Sequence, residues 1–167
     1  MRLLGITAVL TFLVDQAIKA LVLFGIFGLG WGQVTGDTAR LPYPPRVEVA
    51  DPYLVLTMAW NRGINFGLFG GLDLRWVLVG IALAVSLFVV WWVNRENPGR
   101  RAMIGAGLLV GGAIGNALDR VLYGAVSDFL NMSCCGIVNP YAFNVADISV
   151  FIGAIGLALF PGSKNAP

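Results

Sequence analysis

The chain has no histidine, only two cysteines, and just 12% charged residues among its 167. The missing histidine removes the commonest general base and the commonest metal ligand. Cys134 and Cys135 are adjacent. Neighbouring cysteines rarely satisfy disulfide geometry with each other, and two thiols are a poor zinc set. They read as free thiols, and neither a metal nor another cofactor is expected. A net charge of +2 is too small to imply a nucleic-acid surface. Soluble domains carry about 25% charged residues, so the low charge also excludes an ordinary soluble fold. What is present instead is hydrophobic sequence, 57% of the chain. The expected fold is an α-helical polytopic membrane protein, one domain over residues 1–167.

Four apolar stretches run over about residues 3–29, 76–93, 103–122 and 143–160. About 17 to 25 residues cross a bilayer, which the fourth barely reaches. Leu3 to Val14 after Arg2 has the length of a signal-peptide core. No A-x-A-like site follows, and the apolar run resumes at Ala20, so an uncleaved span is expected. Arg95, Arg100 and Arg101 follow the second stretch, Arg2 precedes the first and Lys164 follows the fourth. Basic residues mark the cytoplasmic side, which places both termini there and the loops 30–75 and 123–142 outside.

In the larger outer loop Val47 and Val49 alternate with polar neighbours, Asp51-Pro52 is a turn signal, and Tyr53 to Trp60 is β-branched and aromatic. A small extracytoplasmic β-rich subdomain follows from that pattern. Gly67 to Leu74 is apolar and glycine-rich, and is expected to lie on the membrane surface.

The ionisable residues inside the apolar stretches are the chemical signal, because a charge near lipid is costly and usually functional. Asp15 and Lys19 are spaced i, i+4 and share one helix face; they form an ion pair or take part in a site. Asn116, Asp119 and Arg120 share a face of the third stretch. Asp119 beside Arg120 suggests a structural pair, while Arg120 or Asn116 could donate to a substrate carbonyl. Gly107, Gly111 and Gly115 recur every four residues on that stretch and suit close helix packing. Asp128 lies just past the third stretch, and Asn144 and Asp147 open the fourth. All of them gather at one depth, near the outer boundary. Two converging carboxylates can share a proton, activate water and protonate a leaving group. A proton-coupled carrier or a lipid-binding protein is the alternative. Against a carrier stand the lack of an internal repeat and an uncharged second span.

Five blocks carry a resemblance. They are Asp15-Gln16-Ala17-Ile18-Lys19, Asn61-Arg62-Gly63, Gly112 to Arg120 (GAIGNALDR), Val126-Ser127-Asp128-Phe129 and Phe143-Asn144-Val145-Ala146-Asp147. In order and in content they resemble bacterial lipoprotein signal peptidase, signal peptidase II. The resemblance implies that Asp128 and Asp147 are the catalytic pair. It implies that Asn61, Gly63, Asn116, Arg120 and Asn144 hold the substrate, and that Asp15, Lys19, Asp119 and Ala146 support the site. Ile64 and Asn65 depart from the small residues usual after the N-x-G block. The implied partners are prolipoproteins with a diacylglyceryl-modified cysteine and the membrane lipid around them, with no nucleic acid. A monomer in the bacterial cytoplasmic (inner) membrane is expected.

Overall fold

The computed structural model describes residues 1–35, 44–63 and 74–160. Lys164, Ile64, Asn65 and all of the Gly67–Leu74 stretch except Leu74 lie outside those residues. Four apolar helices make a bundle. α1 covers Arg2–Ala20 and continues through wider π-type turns over Leu21–Ile26, 25 residues in all. A five-residue α2, Trp31–Thr35, follows it. α3 is Arg75–Glu96 and α4 is Arg100–Tyr123. α5, Val145–Leu159, has 15 residues, fewer than the roughly 20 that cross a hydrocarbon core. Three of the four are therefore long enough to span on their own.

The outward faces are apolar. Leu87 is 71% exposed and Phe151 68%, as suits helices whose solvent is lipid. The bundle needs no large apolar core, because apolar side chains gain little by leaving lipid for protein. Close backbone approach replaces it. α4 lies at the centre, against α1, α3 and α5. A Cβ at Gly107 would stand 2.8 Å from the Leu4 carbonyl, and one at Gly111 would stand 2.5 Å from the Ala8 carbonyl. Those two glycines seat α1. A second stripe, not anticipated from the sequence, seats α5: a Cβ at Gly112 would stand 2.5 Å from the Ala146 carbonyl, and one at Gly105 would stand 3.1 Å from the Gly153 carbonyl.

The helices end as their cap residues dictate. Asn97 ends α3 in the left-handed region at φ 44°, and Gly124 ends α4 at φ 79°. Asn and Gly are the residues that tolerate that conformation. Arg75 stacks on Trp76 at one end of the bundle, and Arg95 on Trp91 at the other. Such pairs suit the two membrane–water boundaries.

The expected hairpin is present. β1 (Arg46–Ala50) pairs antiparallel with β2 (Leu54–Asn61) across the Asp51-Pro52 turn. A third strand joins it from elsewhere in the chain. β3, Val126–Asn131, leaves the end of α4 and pairs antiparallel with β2 in the order β1-β2-β3. The sheet thus ties the loop between α2 and α3 to the segment that carries Asp128. Phe143 is bonded to Leu130 in both directions, at 2.8 and 3.0 Å, which draws the start of α5 alongside β3.

Candidate active site

Three pieces of backbone deliver the polar groups to one place. α1 brings Asp15 and Lys19, α4 brings Asn116, Asp119 and Arg120, and the β3–α5 junction brings Asp128, Asn144 and Asp147. Behind them lies a buried ion network. Lys19 is 2% exposed, yet each of its three N–H donors has a partner. Nζ stands 2.8 Å from Asp15 Oδ2, 2.9 Å from Asp119 Oδ2 and 3.1 Å from Asn116 Oδ1. Gln16 Nε2 donates to Asp15 and to Asp119, both at 3.1 Å.

The pairing of Asp119 corrects the sequence expectation. Its ion-pair partner is Lys19 of α1, not the adjacent Arg120. Successive residues on a helix point about 100° apart, so neighbours in sequence do not share a face. Asp119 also accepts from the backbone N–H of Ser127 at 3.1 Å and from its hydroxyl at 2.9 Å. One carboxylate therefore fastens α1 to α4 and both to the base of β3, one residue before Asp128. Asp15 does the same for α5, accepting from the Ala146 N–H at 2.9 Å. Buried charges need this saturation of partners.

The two candidate carboxylates lie in front of that network. Asn144 Nδ2 donates to Asp128 Oδ1 at 2.7 Å. Asn144 Oδ1 accepts the Asp147 N–H at 2.9 Å, and the Asn144 N–H donates to Asp147 Oδ2 at 3.1 Å. This is a capping box at the start of α5. Asn116 Nδ2 donates to Asp147 Oδ1 at 2.8 Å. Burial, then the nearby Asp147 charge, push the Asp128 carboxyl up to about 7, against hydrogen bonds from Asn61 and Asn144 and the charge of Lys19. Asn61 reaches Asp128 through the sheet register. Ala59 pairs with Asp128, and Asn61, two residues along β2, shares that face.

The remaining candidates fall around this pair. Gly63, at φ 115°, donates its N–H to Asn61 Oδ1 at 3.0 Å and so orients Asn61. Ala146 is fully buried under Gly112. Arg120 Nη1 donates to the Asn116 carbonyl at 3.2 Å, while its buried Nε has no hydrogen-bond partner. Asn116 and Asn144 each donate to one of the two carboxyl groups, and Asn144 Nδ2 also donates to Asn116 Oδ1 at 3.2 Å. Gln16 and Ser127 were missed as site residues. Each sits inside a quoted block, but only the fold reveals that both serve Asp119. Cys134 and Cys135 are exposed free thiols, with sulfurs 2.8 Å apart. Among the described residues no cluster of His, Cys, Asp and Glu could hold a metal ion.

The chain is similar to known proteins over nearly its whole length. The family model for Signal peptidase (SPase) II matches residues 7–161. A lipoprotein signal peptidase of Methylobacterium radiotolerans is 39% identical over 154 residues, covering 90% of this chain and 80% of the relative. Another, from Rhodopseudomonas palustris, is 34% identical and covers 99% of this chain and 94% of the relative. A solved bacterial membrane enzyme shares the fold at a TM-score of 0.71 and 24% identity, covering 92% of this chain and 88% of that one. With its apolar bundle and two neighbouring carboxyl groups, the chain belongs to the signal peptidase II family of membrane peptidases.

Proposed function

We propose that this chain is an intramembrane aspartic endopeptidase of the bacterial cytoplasmic membrane. It removes the signal peptide from diacylglyceryl-modified prolipoproteins, cutting just before the lipid-modified cysteine, and Asp128 and Asp147 activate the attacking water. One observation carries the reading. A single side chain, Asn144, donates to Asp128 and accepts from the backbone of Asp147, which holds the two carboxyl groups as neighbours.

Two carboxyl groups and a water suffice for the hydrolysis. An ionised carboxylate takes a proton from water as its oxygen attacks the scissile carbonyl. The protonated partner polarises that carbonyl. Arg120 offers the unpartnered Nε donor to a substrate oxygen, where it would stabilise developing negative charge. One chain supplies both carboxyl groups, so a monomer is competent.

The depth of the site suits the substrate. The pair lies where the bundle meets the sheet, and a diacylglyceryl group anchors its cysteine at a membrane boundary. Each buried methylene contributes about 0.8 kcal/mol, so two acyl chains hold the precursor without peptide contacts. Asn61 and Arg120 then set the register.

The purified protein should cleave a diacylglyceryl-modified precursor in detergent, and cut the same precursor with an unmodified cysteine far more slowly. Asp128→Asn and Asp147→Asn should each lower turnover by at least about 10²-fold while the protein still melts cooperatively. Equal rates on the two precursors would remove the lipid from the specificity. Substantial turnover by either variant would remove the pair from the mechanism.

A further inference from the structure

Cys134 and Cys135 play no part in the proposed hydrolysis, yet the loop between β3 and α5 is shaped around them. We propose that they form a thiol–disulfide exchange site, which takes a small external disulfide as co-reactant and closes into a reversible bond between the two neighbours. The exposed dithiol thereby pairs within one chain instead of linking to another molecule.

In extended backbone successive side chains point to opposite sides, which would hold two neighbouring thiols apart. Here the chain reverses. The Ile137 N–H donates to the Cys134 carbonyl at 2.8 Å. The two residues between them, Cys135 and Gly136, are left-handed at φ 58° and 79°. Tight turns with two left-handed residues prefer Asn-Gly or Asp-Gly, because most other side chains resist that conformation. Cys135 stands where the turn asks for Asn or Asp. Its side chain is folded back towards its neighbour, and the Cys134 thiol donates to the Cys135 sulfur at 2.8 Å.

The turn stands on a closed base. Asn131, the last residue of β3, donates from its side-chain Nδ2 to the Asn139 and Tyr141 carbonyls, both at 2.8 Å. The Asn139 N–H donates to the Ser133 hydroxyl at 3.1 Å. The two sulfurs are therefore held together by the fold around them. Both thiols are exposed, so a co-reactant reaches them. The expected orientation puts the loop outside the membrane, where disulfides form and persist. There an exposed free thiol pairs with other molecules, and a neighbour already in contact forestalls that. The bond would enclose only the peptide between the two residues, which leaves little loop entropy to gain. Its role is thus not to stabilise the fold, and exposed disulfides are the labile, reversible ones.

The chemistry balances. Either thiolate attacks one sulfur of the external disulfide, forms a mixed disulfide and expels one small thiolate. The other cysteine's thiolate then attacks the protein sulfur of that mixed disulfide, forms the Cys134–Cys135 bond and expels the second. The protein thiols lose two electrons and two protons. The external disulfide gains both and leaves as two thiols.

The whole chain, purified in detergent in its reduced form and exposed to oxidised glutathione, tests the site by intact mass. Wild type should become two hydrogens lighter, with no glutathione attached. It should take up no maleimide until it is reduced again, when both cysteines are labelled. Cys134→Ser and Cys135→Ser each lack the resolving thiol. Each should hold at least about ten-fold more glutathione adduct than wild type, because a neighbour in contact outcompetes a second bimolecular encounter. Wild type carrying as much glutathione as the single variants, or forming disulfide-linked dimers in place of the internal bond, would overturn the proposal. So would labelling of both cysteines directly after the exposure. The readout needs neither turnover nor a membrane orientation, so it stands apart from the proposed function.

Discussion

A carboxyl group whose folded state holds its proton up to about pH 7 weakens the fold whenever it ionises. The unfolded chain releases that proton near pH 4. The stability contributed by protonated Asp128 is therefore complete below about pH 4 and lost as pH rises towards 7. Asp128→Asn keeps the shape and removes the charge. It should match the wild type in thermal melts near pH 4 and exceed its Tm by a few °C, as an order of magnitude, at pH 8. A variant less stable than wild type at pH 8 would contradict the burial argument. Asp119 should respond in the opposite way. Its Oδ1 accepts from Gln16, and its Oδ2 accepts from Lys19 and from Ser127. An amide nitrogen can accept none of these, so Asp119→Asn should destabilise by about 3 kcal/mol or more and retain some turnover at low temperature. Full stability with no turnover would move Asp119 into the chemistry. Carboxylates inside apolar runs stood out as a candidate site because lipid makes them expensive. Their partners were less so: Lys19 reaches Asp119 across a hundred residues of chain, whereas Arg120 is merely next to it.

Helix contacts in this bundle are set by what is missing from α4. Gly112→Ala would place a Cβ 2.5 Å from the Ala146 carbonyl, backbone that also presents Asp147. Overpacking of this kind costs about 1–3 kcal/mol, and here it should also lower turnover by displacing the α5 N-terminus. A Cβ added at Gly80, on the exposed face of α3, would meet nothing within 4 Å beyond its own turn of helix. Gly80→Ala should be neutral, or stabilising by up to about 1 kcal/mol. Thermal melts and cleavage rates of the two variants form a matched pair, and equal behaviour would remove the packing role of Gly112. The stripe at Gly107, Gly111 and Gly115 was visible from its period. The stripe that seats α5 was not, because Gly105 and Gly112 are seven residues apart and mix with the first set. β1 and β2 announced themselves through alternation and the Asp51-Pro52 turn. β3 did not, because Val-Ser-Asp-Phe-Leu-Asn carries only a weak strand signal and its partner lies some seventy residues earlier. Asp128 thus had a known position in sequence and an unknown element beneath it.

For the molecule as a whole, the distribution of arginine sets the expected orientation. Gly99 sits in the turn between α3 and α4, among Arg95, Arg100 and Arg101, and a Cβ added there would meet open space. In a background with Cys134 and Cys135 replaced by serine, Gly99→Cys should react with an impermeant maleimide only after the cells are opened. Labelling in intact cells would invert the topology. The short α5 has a further consequence. Fifteen residues rise about 22 Å, against about 30 Å of hydrocarbon, while α3 and α4 are 22 and 24 residues long. A bilayer that matches α5 would have to thin beside it, at the helix that carries Asp147. Reconstituted in phosphatidylcholines of increasing acyl length, the enzyme should work best in thin membranes and slow as hydrophobic mismatch grows. Thickness would then act on the reaction as directly as a side chain does, making the host lipid part of the catalyst.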